Sequence, residues 1–151
     1  MAGDAILPAK GRNMDIYGYL KAENSRLFDL IETIIESSDR ALQNLLLAEF
    51  HRDLPVYLAC KSKVFYAACG EHALVDAFAE HTRDMLAALE AIGDGDTWNE
   101  RLAAFRLALL RHFDEEEHDV FHLARHCLKR DDARKLHDAF LAERDGIRSA
   151  A

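Results

Sequence analysis

The sequence predicts an all-α protein, an up-and-down four-helix bundle closed by a short fifth helix. Helix breakers are sparse: two prolines, Pro8 and Pro55, and seven glycines stand among 151 residues rich in helix-favouring Ala, Leu, Glu and Arg. Apolar residues recur at spacings of three and four, as on one face of a helix, and strand-type alternation is absent. Only short turns separate the helical stretches, so sequential helices must run antiparallel. A chain of 151 residues buries one sizeable core, which makes a single domain the expectation.

Residues 1–12, with Gly3, Pro8 and Gly11, read as a flexible tail before a bundle spanning 13–145. Asn13 is placed to cap a first helix over 14–37, which Ser37, Ser38 and Asp39 interrupt. A second helix follows over 40–69; Pro55 inside it removes one backbone donor and should bend it, and Gly70 is a natural stop. The third covers 71–92 and ends at Gly93-Asp94-Gly95. Thr97-Trp98-Asn99-Glu100 has the form of a capping box and opens a fourth helix reaching Leu128. A short fifth helix over 132–144 is expected against one end of the bundle, with residues 146–151 frayed from Gly146 onward.

Charge narrows the partners. The formal net charge is −8 and no basic block stands out, which argues against nucleic acid or an anionic bilayer. Met1 to Arg12 has no apolar leader and no run of eighteen apolar residues occurs, so a cytoplasmic address without a membrane span is expected. Cys60, Cys69 and Cys127 are odd in number and widely spaced, which suits reduced thiols better than disulfides or a zinc knuckle.

The core stripes carry the functional signal. They read Leu20, Asn24, Leu27, Ile31 and Ile34 in the first helix, and Phe50, Leu54, Tyr57, Lys61, Val64 and Ala68 in the second. In the third they are Leu74, Phe78, His81, Met85, Ala88 and Ile92; in the fourth, Leu102, Phe105, Leu109, His112, Glu116, Val120 and Leu123. Asn24, Tyr57, Lys61, His81, His112 and Glu116 interrupt these stripes near the middle of each helix. Antiparallel packing should therefore gather them into one polar layer across the core. Buried without partners such groups would cost several kcal/mol each, so they must bind one another, water or a metal.

At these positions the chain resembles the hemerythrin-like (HHE cation-binding) family, whose pattern is a His in helix one, HxxxE in helix two, a His in helix three and HxxxE in helix four. Met14-Asp15-Ile16-Tyr17-Gly18-Tyr19-Leu20-Lys21-Ala22-Glu23-Asn24 is similar to the family's opening, with Asn24 at the His position. Lys63-Val64-Phe65-Tyr66 is similar to the run after the second-helix motif, which places Tyr57 at its His and Lys61 at its Glu. Ala79-Glu80-His81 keeps the third-helix His, and His112-Phe113-Asp114-Glu115-Glu116 keeps the fourth-helix HxxxE. The resemblance covers residues 14–128. A ferritin-like di-iron set would instead need two ExxH pairs, and only Glu115-x-x-His118 is present.

In the family, imidazoles and two bridging carboxylates hold two iron ions with a position open to dioxygen. Here Lys61 replaces a bridging carboxylate by a cation-repelling ammonium, and Asn24 is a weak iron ligand. The resemblance thus implies a binding or sensing protein, not an enzyme, with a degraded di-iron site. One form is metal-free: Lys61 pairs with Glu116, while Tyr57 and Asn24 hydrogen-bond His81 and His112. The alternative is a single iron or zinc ion on His81, His112 and Glu116, with the Tyr57 phenol as a fourth group, binding dioxygen or nitric oxide or doing redox chemistry. A complete dinuclear carrier would need ligands from outside the family pattern. If the Lys61 ammonium points into the layer, a metal beside Glu116 is disfavoured; if its stem snorkels away, the single-ion site gains. Neither the ligand nor a homodimer is legible.

Other residues invite weaker readings. His118, His122 and His126 recur every four residues on the fourth helix, either as a surface chelate or as a solvated, dipole-favoured face. His72 should face away from the layer, and His51 and His137 read as surface residues. Cys60 neighbours Lys61 and is either a cation-activated thiol or an inert packed one.

Overall fold

A computed structural model describes residues 14–93 and 97–150; the expected tail, the Asn13 cap and most of the Gly93-Asp94-Gly95 turn lie outside them. The protein is all-helical, with no strand among the described residues. Helix α1 (Ile16–Glu36) is followed by α2 (Arg40–Cys60), which runs directly into a π-helical segment, π1 (Lys61–Tyr66). Helix α3 is Ala73–Ala91. Helix α4 (Trp98–Glu115), a second π-helical segment π2 (Glu116–Val120) and α5 (Phe121–Cys127) form one continuous rod. Helix α6 (Arg130–Ala150) completes the chain.

Local chemistry sets the ends. Asp15, in extended backbone, caps α1 by accepting the Gly18 N–H at 3.0 Å. Asp39 caps α2 through the amides of Ala41 and Leu42 at 3.0 and 3.2 Å. The buried Gln43 amide donates to the carbonyls of Ile34 and Ser37, both at 2.9 Å, tying the end of α1 to the start of α2. Gly70 ends the second rod at φ +79°, a conformation that only glycine adopts without strain. Thr97 stands at the expected N-cap of α4, but its side chain makes no capping hydrogen bond, so the capping box does not form.

Pro55 lies inside α2 and the helix continues through it. The second rod departs from α geometry later, at Lys61. A π turn takes up roughly one extra residue relative to an α turn, and this shifts the stripe beyond it. Phe65, Tyr66 and Cys69 are buried, whereas Ala68 is exposed and Val64 only half-buried. In the fourth rod Phe121 and Ala124 likewise displace Leu123 from the core. Helix α3 differs for another reason. Val75, Phe78, Thr82, Met85, Leu89 and Ile92 face inward, so Leu74 and Ala88 are exposed and His81 sits half-buried at the edge. Rotation by one residue puts Leu89 inside in place of the smaller Ala88.

Helix α6 corrects the expectation of a short terminal helix. It has 21 residues, runs through Gly146 without fraying, and packs lengthwise along α1, α2 and π1. Phe140 is its anchor, fully buried with its ring 5.2 Å from Tyr19 and 5.9 Å from Tyr57. Arg144 donates to the Tyr19 hydroxyl at 3.0 Å and Glu143 pairs with Lys63 at 3.0 Å, which extends the docking by another turn. His51 and His137, expected at the surface, are half-buried, and His137 stacks 5.0 Å from Tyr19.

Candidate functional site

The interior holds an ion pair fully removed from solvent. Lys61 Nζ lies 2.8 Å from Glu116 Oε1 and 2.9 Å from Oε2, and both side chains are 0% exposed. Each residue is the first of a π segment. The two irregular turns thus place the two charges face to face. The ammonium also sits 4.6 Å from the Tyr57 ring centroid and 4.9 Å from that of Phe113, within cation–π range.

Glu116 is saturated with donors. Besides Lys61, the Tyr66 hydroxyl donates to Oε2 and Asn24 Nδ2 donates to Oε1 at 3.2 Å. The same amide group reaches Glu117 Oε2 at 2.9 Å, and the Asn24 carbonyl accepts from the Tyr57 hydroxyl at 2.6 Å. That hydroxyl lies 3.1 Å from the Leu20 carbonyl as well. The network fixes the amide orientation, because the NH₂ meets two carboxylates and the oxygen meets a phenol.

Burial alone would push the Glu116 carboxyl up, but the Lys61 ammonium and the hydrogen bonds from Lys61 and Tyr66 hold it below the usual carboxylate value. Burial draws the Lys61 ammonium down, and Glu116 offsets that only in part. Three donor groups converge on Glu116, so the pair is a carboxylate facing an ammonium. Burial and the adjacent carboxylate raise Tyr57 and Tyr66 well above the ordinary phenol value, so both remain neutral donors.

The histidines stand apart. His81 Nδ1 and His112 Nδ1 are 2.9 Å apart and bond each other. The expected hydrogen bonds from Tyr57 and Asn24 to them are absent, because Tyr57 donates to Asn24, whose amide turns to Glu116 and Glu117. His112 is fully buried against Phe78 and Phe113, and its Nε2 has no hydrogen-bond partner among the described residues. Burial, reinforced by repulsion from Lys61, lowers its pKa from 6.5 to about 4.

As they stand, these side chains do not form a three-ligand site for iron or zinc. Among the described residues no three His, Cys, Asp or Glu side chains converge as an ion would require. Glu116 faces Lys61 and Tyr57 is committed to Asn24, so neither joins the His81–His112 pair. The Lys61 stem does not snorkel outward.

Sequence reasoning missed Tyr66 and Glu117. Tyr66 falls five residues after Lys61, off a 3.6-residue stripe but on the stripe of a π turn. A tyrosine at the end of the apolar run Val64-Phe65-Tyr66 was the available signal. Cys60 is buried, and burial pushes its thiol up, which matches the inert reading. His72 is exposed, in extended backbone at the N-cap position ahead of α3. On the outer face, His118 Nδ1 turns back to the Asp114 carbonyl at 3.1 Å, while His122 and His126 meet each other.

No protein-family model, curated protein or solved structure matches this chain. No helix among the described residues is long and apolar enough to cross a membrane.

Proposed function

We propose that this chain is a hemerythrin-like protein, built on an up-and-down four-helix arrangement, in which a lysine ammonium has replaced the metal centre. On this reading it is a binding or sensing protein and not an enzyme. The observation that carries the proposal is the Lys61–Glu116 pair, wholly buried and saturated by Asn24 and Tyr66. It stands where the family pattern would put a bridging carboxylate opposite a bridging carboxylate. Exchange of one carboxylate for an ammonium supplies the positive charge the other requires, so Glu116 is neutralised without an ion. The family's dioxygen chemistry is then not expected, since fold does not carry activity without the residues that perform it.

A second reading has one observation in its favour. The buried, unpartnered His112 Nε2 is a free ligand atom. A single iron or zinc ion on His81, His112 and Glu116, able to take dioxygen or nitric oxide, would use it only if Glu116 left Lys61.

Metal content separates the two. The untagged chain carrying His122→Ala and His126→Ala, so that surface imidazoles add nothing, is produced in iron- and zinc-supplemented medium and analysed for metal per chain. We expect no stoichiometric metal, and metal retention after Lys61→Glu, Asn24→His and Tyr57→His are introduced together. About one equivalent without those changes, lost on His112→Ala, would establish the single-ion site instead.

A further inference from the structure

From their geometry we infer that His122 and His126 form a surface site for a divalent late transition ion, separate from the buried layer. The two residues lie one helical turn apart on α5, both are exposed, and their Nε2 atoms are 3.3 Å apart. That separation is longer than a good N–H hydrogen bond, roughly 2.7–3.2 Å. It matches two imidazoles on one tetrahedral ion: two Zn–N bonds of about 2.0–2.1 Å at a tetrahedral angle put the nitrogens about 3.3–3.4 Å apart. The rings are nearly perpendicular, 86° between planes with centroids 4.8 Å apart. Neither ring has another hydrogen-bond partner among the described residues.

The surroundings allow the charge. The pair occupies the last turns of a rod that runs unbroken from Trp98 to Cys127, where unpaired carbonyls make the helix end negative and favour a cation. Arg125, the nearest cationic residue in sequence, is drawn over the Tyr17 ring at 4.4 Å and the Phe121 ring at 5.9 Å. Lys129 and Arg130 lie past the end of this rod and are exposed, so solvent and salt screen their charges. His118, which continues the four-residue repeat, turns Nδ1 to the Asp114 carbonyl and does not converge with the pair, since no three His, Cys, Asp or Glu side chains meet among the described residues. The site therefore offers two nitrogens and leaves the remaining positions to water or an exchangeable donor. Such a nitrogen pair favours Zn²⁺, Ni²⁺ and Cu²⁺ over Mg²⁺ or Ca²⁺, which take oxygen ligands.

The test titrates the full, untagged chain with Zn²⁺ by calorimetry, with the single variants His122→Ala, His126→Ala, His118→Ala and His112→Ala alongside. All but the last alter exposed side chains and leave the fold intact, as circular dichroism checks. The expected result is one equivalent bound by the native chain, at least tenfold weaker binding in each of His122→Ala and His126→Ala, and less than a twofold change in His118→Ala. Movement of the Nε2 nitrogen resonances of both residues on Zn²⁺ addition identifies the ligand atoms. No binding by the native chain overturns the inference, as does affinity unchanged in either His122→Ala or His126→Ala. Binding abolished by His112→Ala with those two unaffected would assign the ion to the core.

Discussion

At the scale of residues, the burial of Lys61 and Glu116 makes each dependent on the other. Removing one partner of a buried pair leaves an uncompensated charge and costs about 3–5 kcal/mol, whereas neutralising both together costs far less. Lys61→Met should therefore lower stability by about 3–5 kcal/mol in urea titrations. Adding Glu116→Gln should recover more than half of that loss, since the amide oxygen still accepts from Tyr66 while the stranded charge is gone. A double variant no more stable than Lys61→Met would show that the ionic partnership is not what holds this layer. Six interruptions of the stripes were legible in the sequence because a charged or hydrogen-bonding side chain on an apolar face is conspicuous. Opposite charge suggested the Lys61–Glu116 pair, but the partners of Asn24, Tyr57 and the histidines were not legible. Which donor meets which acceptor depends on ångström-scale placement, and Asn24 reaches Glu116 and Glu117 across the interior, not a histidine.

At the scale of elements, periodicity located five rods among the described residues, and failed where the helical period itself changes. A stripe drawn at 3.6 residues per turn stays in phase up to Lys61 and Glu116 and falls one residue behind beyond each of them. That drift hid Tyr66. Helix α6 was misjudged on a different ground, the weight given to Gly146 as a terminator. Half-buried Ile147, beyond it, continues the inward face of Ala133, Leu136 and Phe140, and this docking outweighs the glycine's cost. A Cβ added at Gly146 would meet nothing within 4 Å. Gly146→Ala should accordingly stabilise the protein by about 0.5–1 kcal/mol, the usual penalty of glycine inside a helix. A denaturation midpoint that does not move would mean that this stretch is not helical in solution.

At the scale of the whole molecule, the buried layer ties folding to pH through His112. Desolvation, aided by Lys61, lowers its pKa from 6.5 in the unfolded chain to about 4 in the folded one. Between those values the unfolded state binds a proton that the folded state refuses. Stability from this group is complete above pH 6.5, falls as pH drops toward 4, and is lost below. The shift corresponds to about 3 kcal/mol. Glu116 acts in the same direction but at lower pH, since its folded value is depressed and its contribution disappears only as pH falls through that value. The urea midpoint should therefore decline from about pH 6.5 to 4, with a second loss in stronger acid. His112→Gln removes the titrating imidazole and keeps a polar group of similar reach. It should flatten the first decline and leave the acid-most loss in place. A decline of unchanged slope in His112→Gln would mean that protonation elsewhere governs acid unfolding, and that a neutral, buried His112 is not how this molecule holds that side chain in solution.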